Sequence, residues 1–434
     1  MIRAAIVLVA STALAGCATI SGAGSSPLDD MAREYLAVQL AIGEKDPGYV
    51  DAYFGPEDLK AVAEDESAET SLAQLQDRVA ELDDRLAATV AAPDSQEAER
   101  VRHLRNMLGA AAVRLRMLQG ETLSFQDEAE GLFGVRPELV DLATLDPILA
   151  RIEALLPRDD ENGATLGERV NAFRDRFIIP DDRLSDVIDA AVAECRRRTL
   201  DHVELPAGER FDLSLVADKP WGGFNYYQGD YRSVIEINTD LPTRLDRAVE
   251  VGCHEAYPGH HVYSTLLERE RVERLGQIEY TVMPLYSPKA IIAEGSADYG
   301  VKLAFPGEEQ IIFERDVLAP LAGLDTADIA DYYALGEATR DLGPAYYTIA
   351  AGYLDGTRSR EQTIADLMRY QLQSRERAEQ SLRFLDTYRS YVINYDLGRE
   401  IVGNYVEAEG DDQETRWRRF LHLLTAAAVP SDLR

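Results

Sequence analysis

Apolar residues recur at intervals of three and four along the first half of the chain. Leu72, Leu75, Val79, Leu82 and Leu86 make one stripe, and Leu104, Leu108, Ala111, Leu115 and Leu118 make a second. Such spacing gathers each set on one face of a helix. The polar stretch "PDSQE" at Pro93 separates them, so an antiparallel helical pair is expected. Further helices are predicted over 138–156, 166–177 and 184–199. After "VELPAGER" the texture changes, and "GERFDLSLV", "GGFNYYQGDY" and "SVIEINTDL" read as short strands with glycine-rich turns. A helix is expected to open at Pro242 or Thr243, with Leu245, Ala248, Val249 and Gly252 on its inner face. From Pro288 the pattern is helical again and rich in tyrosine. The expected fold is mainly α, with a small β-sheet leading into one helix. A helical region over 31–205 would precede a second region, 206–434, that carries the sheet and the remaining helices.

Composition changes this picture in two ways. A chain of 434 residues, 46% of them hydrophobic, can bury a large core. Its formal net charge of −32 repels phosphate backbones and anionic lipid, which argues against a nucleic-acid partner. The N-terminus, "MIRAAIVLVASTALAGCATISG", has one positive charge at Arg3, a short apolar run, and the small-residue stretch Leu14-Ala15-Gly16-Cys17. The run is too short to span a bilayer and reads as a secretory signal over 1–16. Cys17 after "LAG" resembles the bacterial lipoprotein box, in which the cysteine is acylated and begins the mature chain. Ala18 in place of Asp then implies the outer membrane, facing the periplasm, and 17–30 would be a tether. Cys195 and Cys253 remain, too few for a disulfide framework although they could pair in an oxidising compartment. Cys253 is read as packing, because on a helix it points about 100° away from His254.

The chemistry is concentrated in "HEAYPGHH", residues 254–261, which holds three of the six histidines. The other isolated histidines, His103 and His202, read as structural or surface groups. A catalytic zinc takes three protein ligands and leaves one position open, with a carboxylate near enough to accept a proton from water. His254 can be a ligand. Glu255, about 100° round the helix from it, stands where a general base belongs. The second histidine is the difficulty. On a straight helix His260 is about 600° from His254 and faces the wrong way, while His261 faces correctly but lies roughly 10.5 Å further along. Pro258 and Gly259 offer a way out: a bulge of two residues would bring His260 round to a one-turn relation. "SVIEIN" is the candidate edge strand beside this helix, able to hold an extended peptide by β-addition.

The octapeptide resembles the signature of a bacterial family known as domain of unknown function 885. The resemblance runs from about "FNYYQGDY" to "REIVGNY", and more weakly through "EYLAVQLAIGEKDPGYVDAYFGP". Members of that family resemble zinc peptidases, and many carry lipoprotein signals. Carboxypeptidase Taq-like enzymes have HExGH and dipeptidyl peptidase III-like enzymes HExxGH; this chain continues the series as HExxxGH, which favours His260 over His261. If the chain resembles the gluzincins, the third ligand is a glutamate on a following helix. "KAIIAEGSADYGVKLAF" supplies Glu294, with Asp298 one turn on to support a histidine ligand from behind. The family's Pro-Gly-Gln-Ala stretch and its tyrosine are replaced here by "RDLGPAYYTIAAGY". Tyr346 and Tyr347 are therefore candidates for the oxyanion-stabilising donor, and His261 is an alternative. The resemblance implies a metallopeptidase-like fold, Zn2+ as cofactor and a short peptide as substrate. Two other readings stay open: a non-catalytic envelope lipoprotein with a structural metal, and a zinc hydrolase of a non-peptide amide.

Overall fold

The first helix forms where sequence-based reasoning expects a tether. Ser26 accepts from Asp29 N–H, Asp29 answers with its carboxylate, and Pro27 sits at the first turn, so helix α1 runs Pro27–Gly43 with Leu28 and Met31 already buried. Residues 27–30 thus belong to the folded body. The computed structural model describes residues 26–157 and 163–433, so the expected signal, Cys17 and most of the tether lie outside the described residues. The two apolar stripes become α2 (Leu72–Ala87) and α3 (Gln96–Leu118), each opened by a serine cap and each burying its stripe. The expected helix over 138–156 is shorter. Asp146-Pro147 opens a helix at Asp146–Leu155, because proline is tolerated in a first turn and not inside one, and the residues before it make a 3-10 turn.

The three strands expected after "VELPAGER" all form: β2 (Arg210–Val216), β3 (Gly223–Tyr227) and β4 (Arg232–Asn238). Their order is β2-β4-β3, with β2 parallel and β3 antiparallel to β4. "SVIEIN" is therefore the central strand, with both of its hydrogen-bonding edges taken, and cannot be the edge strand. That position belongs to β3. A further pair was not foreseen: β1 (Val50–Tyr53) lies antiparallel to β5 (Val282–Pro284), with Tyr53 opposite Val282. Four residues of mixed polarity inside a helical region give little periodicity to read, and the partner lies more than two hundred residues away.

Helix α4 (Asp181–Leu200) packs against α5 (Leu245–Glu255), and a Cys195–Cys253 disulfide joins them with Cα atoms 5.6 Å apart. Cys253 is buried, as expected of a packing residue, and is bonded as well. α5 starts at Leu245, later than Pro242 or Thr243, because the preceding backbone is tied to another segment: Arg244 bridges Ile178, and Ile179 N–H donates to the Thr243 carbonyl. Beyond α5 the chain makes α6 (His260–Leu267), and then α7 (Pro288–Ala304), which packs along α8 (Asp396–Glu407).

Candidate metal centre

The octapeptide does not bulge a continuous helix; it ends one helix and begins another. α5 stops at Glu255, the Tyr257–Pro258 peptide is cis, and α6 starts at His260. Gly259 N–H donates back to the Cys253 carbonyl at 3.1 Å, so the chain folds over the turn it has just left. The crossing is close: a Cβ on Gly259 would stand 1.7 Å from the His254 carbonyl oxygen. Only glycine fits there. The return brings His260 Nε2 to 3.1 Å from His254 Nε2, the meeting expected of a bulge, achieved by a break.

Glu294 on α7 completes a triangle. One of its carboxylate oxygens lies 3.2 Å from His254 Nε2 and the other 3.5 Å from His260 Nε2. Donors about 2.0–2.2 Å from a tetrahedral zinc stand about 3.3–3.6 Å apart; the three sides here are close to that, with the two carboxylate sides ending on different Glu294 oxygens. Asp298 Oδ1, one turn along α7, lies 2.8 Å from His254 Nδ1. That bond places the ring proton on Nδ1 and turns the Nε2 lone pair inward. Tyr391 O–H donates to Glu294 Oε1 at 2.7 Å, whereas Glu294 Oε2 is buried with no hydrogen-bond partner. Lone pairs thus converge on one point, and a single cation there would answer all of them. Burial pushes the Glu294 carboxyl up, but the two imidazoles facing it hold it well below its ordinary range. Burial lowers both histidines, and the carboxylates around them reverse that shift, so both are raised. This mutual charging is what a cation site produces when only side chains answer one another.

Glu255 also comes within 4.8 Å of the two imidazoles. The Glu294 oxygens, at 3.2 and 3.5 Å from the imidazoles, lie nearer to them than that limit. The Glu255 carboxylate is buried, its Oε2 has no hydrogen-bond partner, and burial raises its pKa. Room for it depends on β3, where a Cβ on Gly223 would stand 2.6 Å from Glu255 Oε1.

No family model matches the chain, and no curated relative does. Among solved structures it resembles one described as a candidate lipoprotein from Colwellia psychrerythraea. The TM-score is 0.51 at 16% identity, over 84% of this chain and 66% of that one. The chain thus spans just under two thirds of that protein's length, and the likeness is one of fold. A second, of a candidate lipoprotein of unknown function from Shewanella oneidensis, has a TM-score of 0.46 at 13% identity, over 95% of this chain and 79% of that one.

The remaining predicted residues scatter. His261 is fully buried and turned toward the small sheet, with Ser233 Oγ 2.8 Å from Nδ1 and Glu209 Oε2 3.0 Å from Nε2. It can be neither the second ligand nor an oxyanion donor, because both ring nitrogens are engaged away from the triangle. Tyr347 is buried with its hydroxyl unpartnered and does not line the site cavity. Tyr346 lines that cavity. Sequence reasoning missed Tyr391 and Tyr395; the latter's ring centre lies 6.4 Å from that of His254. The signal was there, as "TYRSYVINY" spaces Tyr388, Tyr391 and Tyr395 at three and four. It also missed Asp51 on β1, which faces the same groups; burial, eased by His260 but reinforced by Glu294 and Glu255, moves its carboxyl up to about 7. The triangle, Asp51, Tyr346, Tyr391 and Tyr395 share the wall of a cavity of about 1090 Å³.

Proposed function

We propose that the chain is a zinc-dependent hydrolase of short peptides that works outside the cytoplasm, held to the membrane by a lipid on Cys17. The observation that carries this reading is the triangle of His254, His260 and Glu294, with sides of 3.1, 3.2 and 3.5 Å, next to the unpartnered Glu255 carboxylate. Those three residues would hold the ion. Two imidazoles and a carboxylate suit zinc, which supplies Lewis-acid chemistry, acidifying water and polarising an amide carbonyl. Glu255 would act as general base, taking a proton from the attacking water and delivering it to the leaving amine. Asp298 keeps His254 in its working tautomer, and Tyr391 fixes Glu294. Tyr395, in the cavity beside His254, joins Tyr346 as a candidate donor to the developing oxyanion, and Tyr347, outside the cavity, does not. The outer edge of β3, with Gly223 and Asn225 lining the cavity, would hold the peptide main chain in extended form.

Several features support an envelope location. The N-terminus has the lipoprotein box, and a Cys195–Cys253 disulfide persists best in an oxidising compartment. The Colwellia structure of similar fold is itself described as that of a candidate lipoprotein.

The test combines elemental analysis with a peptide library. Purified wild-type protein should hold one zinc and cleave short peptides. Glu255→Gln should keep the zinc and lose several orders of magnitude in kcat, whereas Glu294→Ala should lose the metal. A metal-free, inactive wild type, or equal metal loss in both variants, would refute the assignment.

A further inference from the structure

The cavity does not end at the metal ligands. It continues inward between α6 and α7, past Ser264 and Leu267 on one side and Ala290 on the other, to His103 on α3, Tyr280 and Lys289. The middle of this arm is apolar, walled by Met107, Leu267, Val282 and Leu285. Its inner end is polar and short of acceptors. Lys289 is 8% exposed, donates one hydrogen bond to the Ala426 carbonyl at 3.0 Å, and lies over the Tyr263 ring at 5.5 Å. It has no carboxylate partner among the described residues. The acids nearby are already taken: Arg100 holds Glu279 at 2.5 Å, and Arg271 holds Glu99 at 2.9 Å. His103 is 2% exposed and stacked on Tyr280 at 4.4 Å, with its Nδ1 unpartnered; the Tyr280 hydroxyl, on a residue 3% exposed, is unpartnered too.

An amine with one hydrogen bond made, an imidazole whose Nδ1 is unpartnered and a phenol whose hydroxyl is unpartnered thus end one buried arm. A buried donor left unsatisfied is costly, and a carboxylate, which only accepts, is its chemical complement. Burial, added to by the nearby Arg271 charge and only partly opposed by Glu99, lowers Lys289 to about 7, and a carboxylate seated beside it would reverse that shift. We infer that the inner arm is a specificity pocket that takes the carboxylate of an acidic substrate group, seated by Lys289, His103 and Tyr280. The apolar stretch in front of it fits the methylenes that carry such a group. The lining residues of α6 run from His260 to Leu267, about two helical turns or roughly 10 Å, which would place the carboxylate within about three residues of the bond cut. Its source is either an acidic side chain or the peptide's own C-terminus.

This inference rests on the cavity being the substrate site of the proposed peptidase, and the experiment keeps the two separable. Short peptides are compared with Glu or Gln at each position in turn, and with a free or amidated C-terminus. Cleavage by zinc-loaded wild type gives kcat/KM, and calorimetry on Glu255→Gln gives binding without turnover. At one position, or at the C-terminus, the carboxylate form should be favoured by at least about tenfold. Lys289→Gln, which keeps a donor near Ala426 but no charge, should erase that preference. Tyr280→Phe, which removes one hydroxyl, should reduce it several-fold and covers the case in which Lys289→Gln fails to fold. Cleavage with no preference for a carboxylate anywhere overturns the inference and leaves the peptidase standing. Carboxylate-selective binding that needs Lys289, in a protein that cleaves nothing, upholds the pocket and overturns the peptidase. A preference that survives in well-folded Lys289→Gln also overturns it.

Discussion

His260 and His261 are neighbours in the chain and sit in unrelated environments. The first turns its Nε2 to the His254–Glu294 pair; the second is locked between Ser233 and Glu209. Burial raises the Glu209 carboxyl, but hydrogen bonds from His261, Tyr257 and Arg196 outweigh it and hold it at about 2. Their removal should therefore fail in different ways. His260→Ala deletes one of the three proposed ligands and should purify nearly free of zinc, a result that metal analysis checks. His261→Ala leaves the proposed ligands in place but strands the buried Ser233 hydroxyl and takes one of three hydrogen bonds from Glu209, costing about 1–3 kcal/mol in a urea titration with the zinc retained. The reverse pattern would sink the assignment. Sequence spacing alone left this choice open, because an undistorted helix argues for His261 and a deformed one for His260. Glu294 and Asp298 were legible, since two acids four apart in an apolar helix have little other use.

At the scale of elements, the turn between α5 and α6 decides the site. Gly259→Ala would drive a methyl group into the His254 carbonyl, 1.7 Å away, and the only relief is to open the crossing. Loss of about 3 kcal/mol or more is expected in thermal or urea melts, together with loss of metal. Stability unchanged with zinc bound would mean that the crossing is looser than it looks. The Cys195–Cys253 bridge closes a loop of 58 residues and ties α5 to α4. Reduction should lower stability by up to about 4 kcal/mol, read as a shift in melting with and without reductant. The stripes of α2 and α3 could be read directly, because one buried face imposes its period on the sequence. β1 could not, and neither could the strand order that makes β3 the edge. Pairing is a relation between distant segments, and a segment's own pattern does not name its partner.

At the scale of the whole molecule, the cavity draws its lining from segments as far apart in the chain as Asp51, Met107, Pro220 and Arg399. The proposed anchor is a property of the whole chain as well. Intact-mass analysis of detergent-extracted protein should show acyl groups on Cys17, and Cys17→Ser should release a soluble protein with unchanged zinc content. A soluble wild type with an unmodified mature start would contradict the anchor and leave the metal site untouched.

By itself the sequence determined what is local: the helical stripes, the HE pair, the proline and glycine that forbid a straight helix, and the acids four apart on α7. Each follows from backbone geometry over a few residues. Tertiary structure alone decided which histidine closes the triangle, that Tyr391 and Tyr395 reach the site in place of Tyr347, and that Asp51 arrives on a strand. It also turned His103, an isolated histidine in the sequence, into the end of a buried arm. Those outcomes depend on how elements far apart in the chain pack, where a shift of a few ångströms changes which side chains meet, and no local pattern encodes that distance.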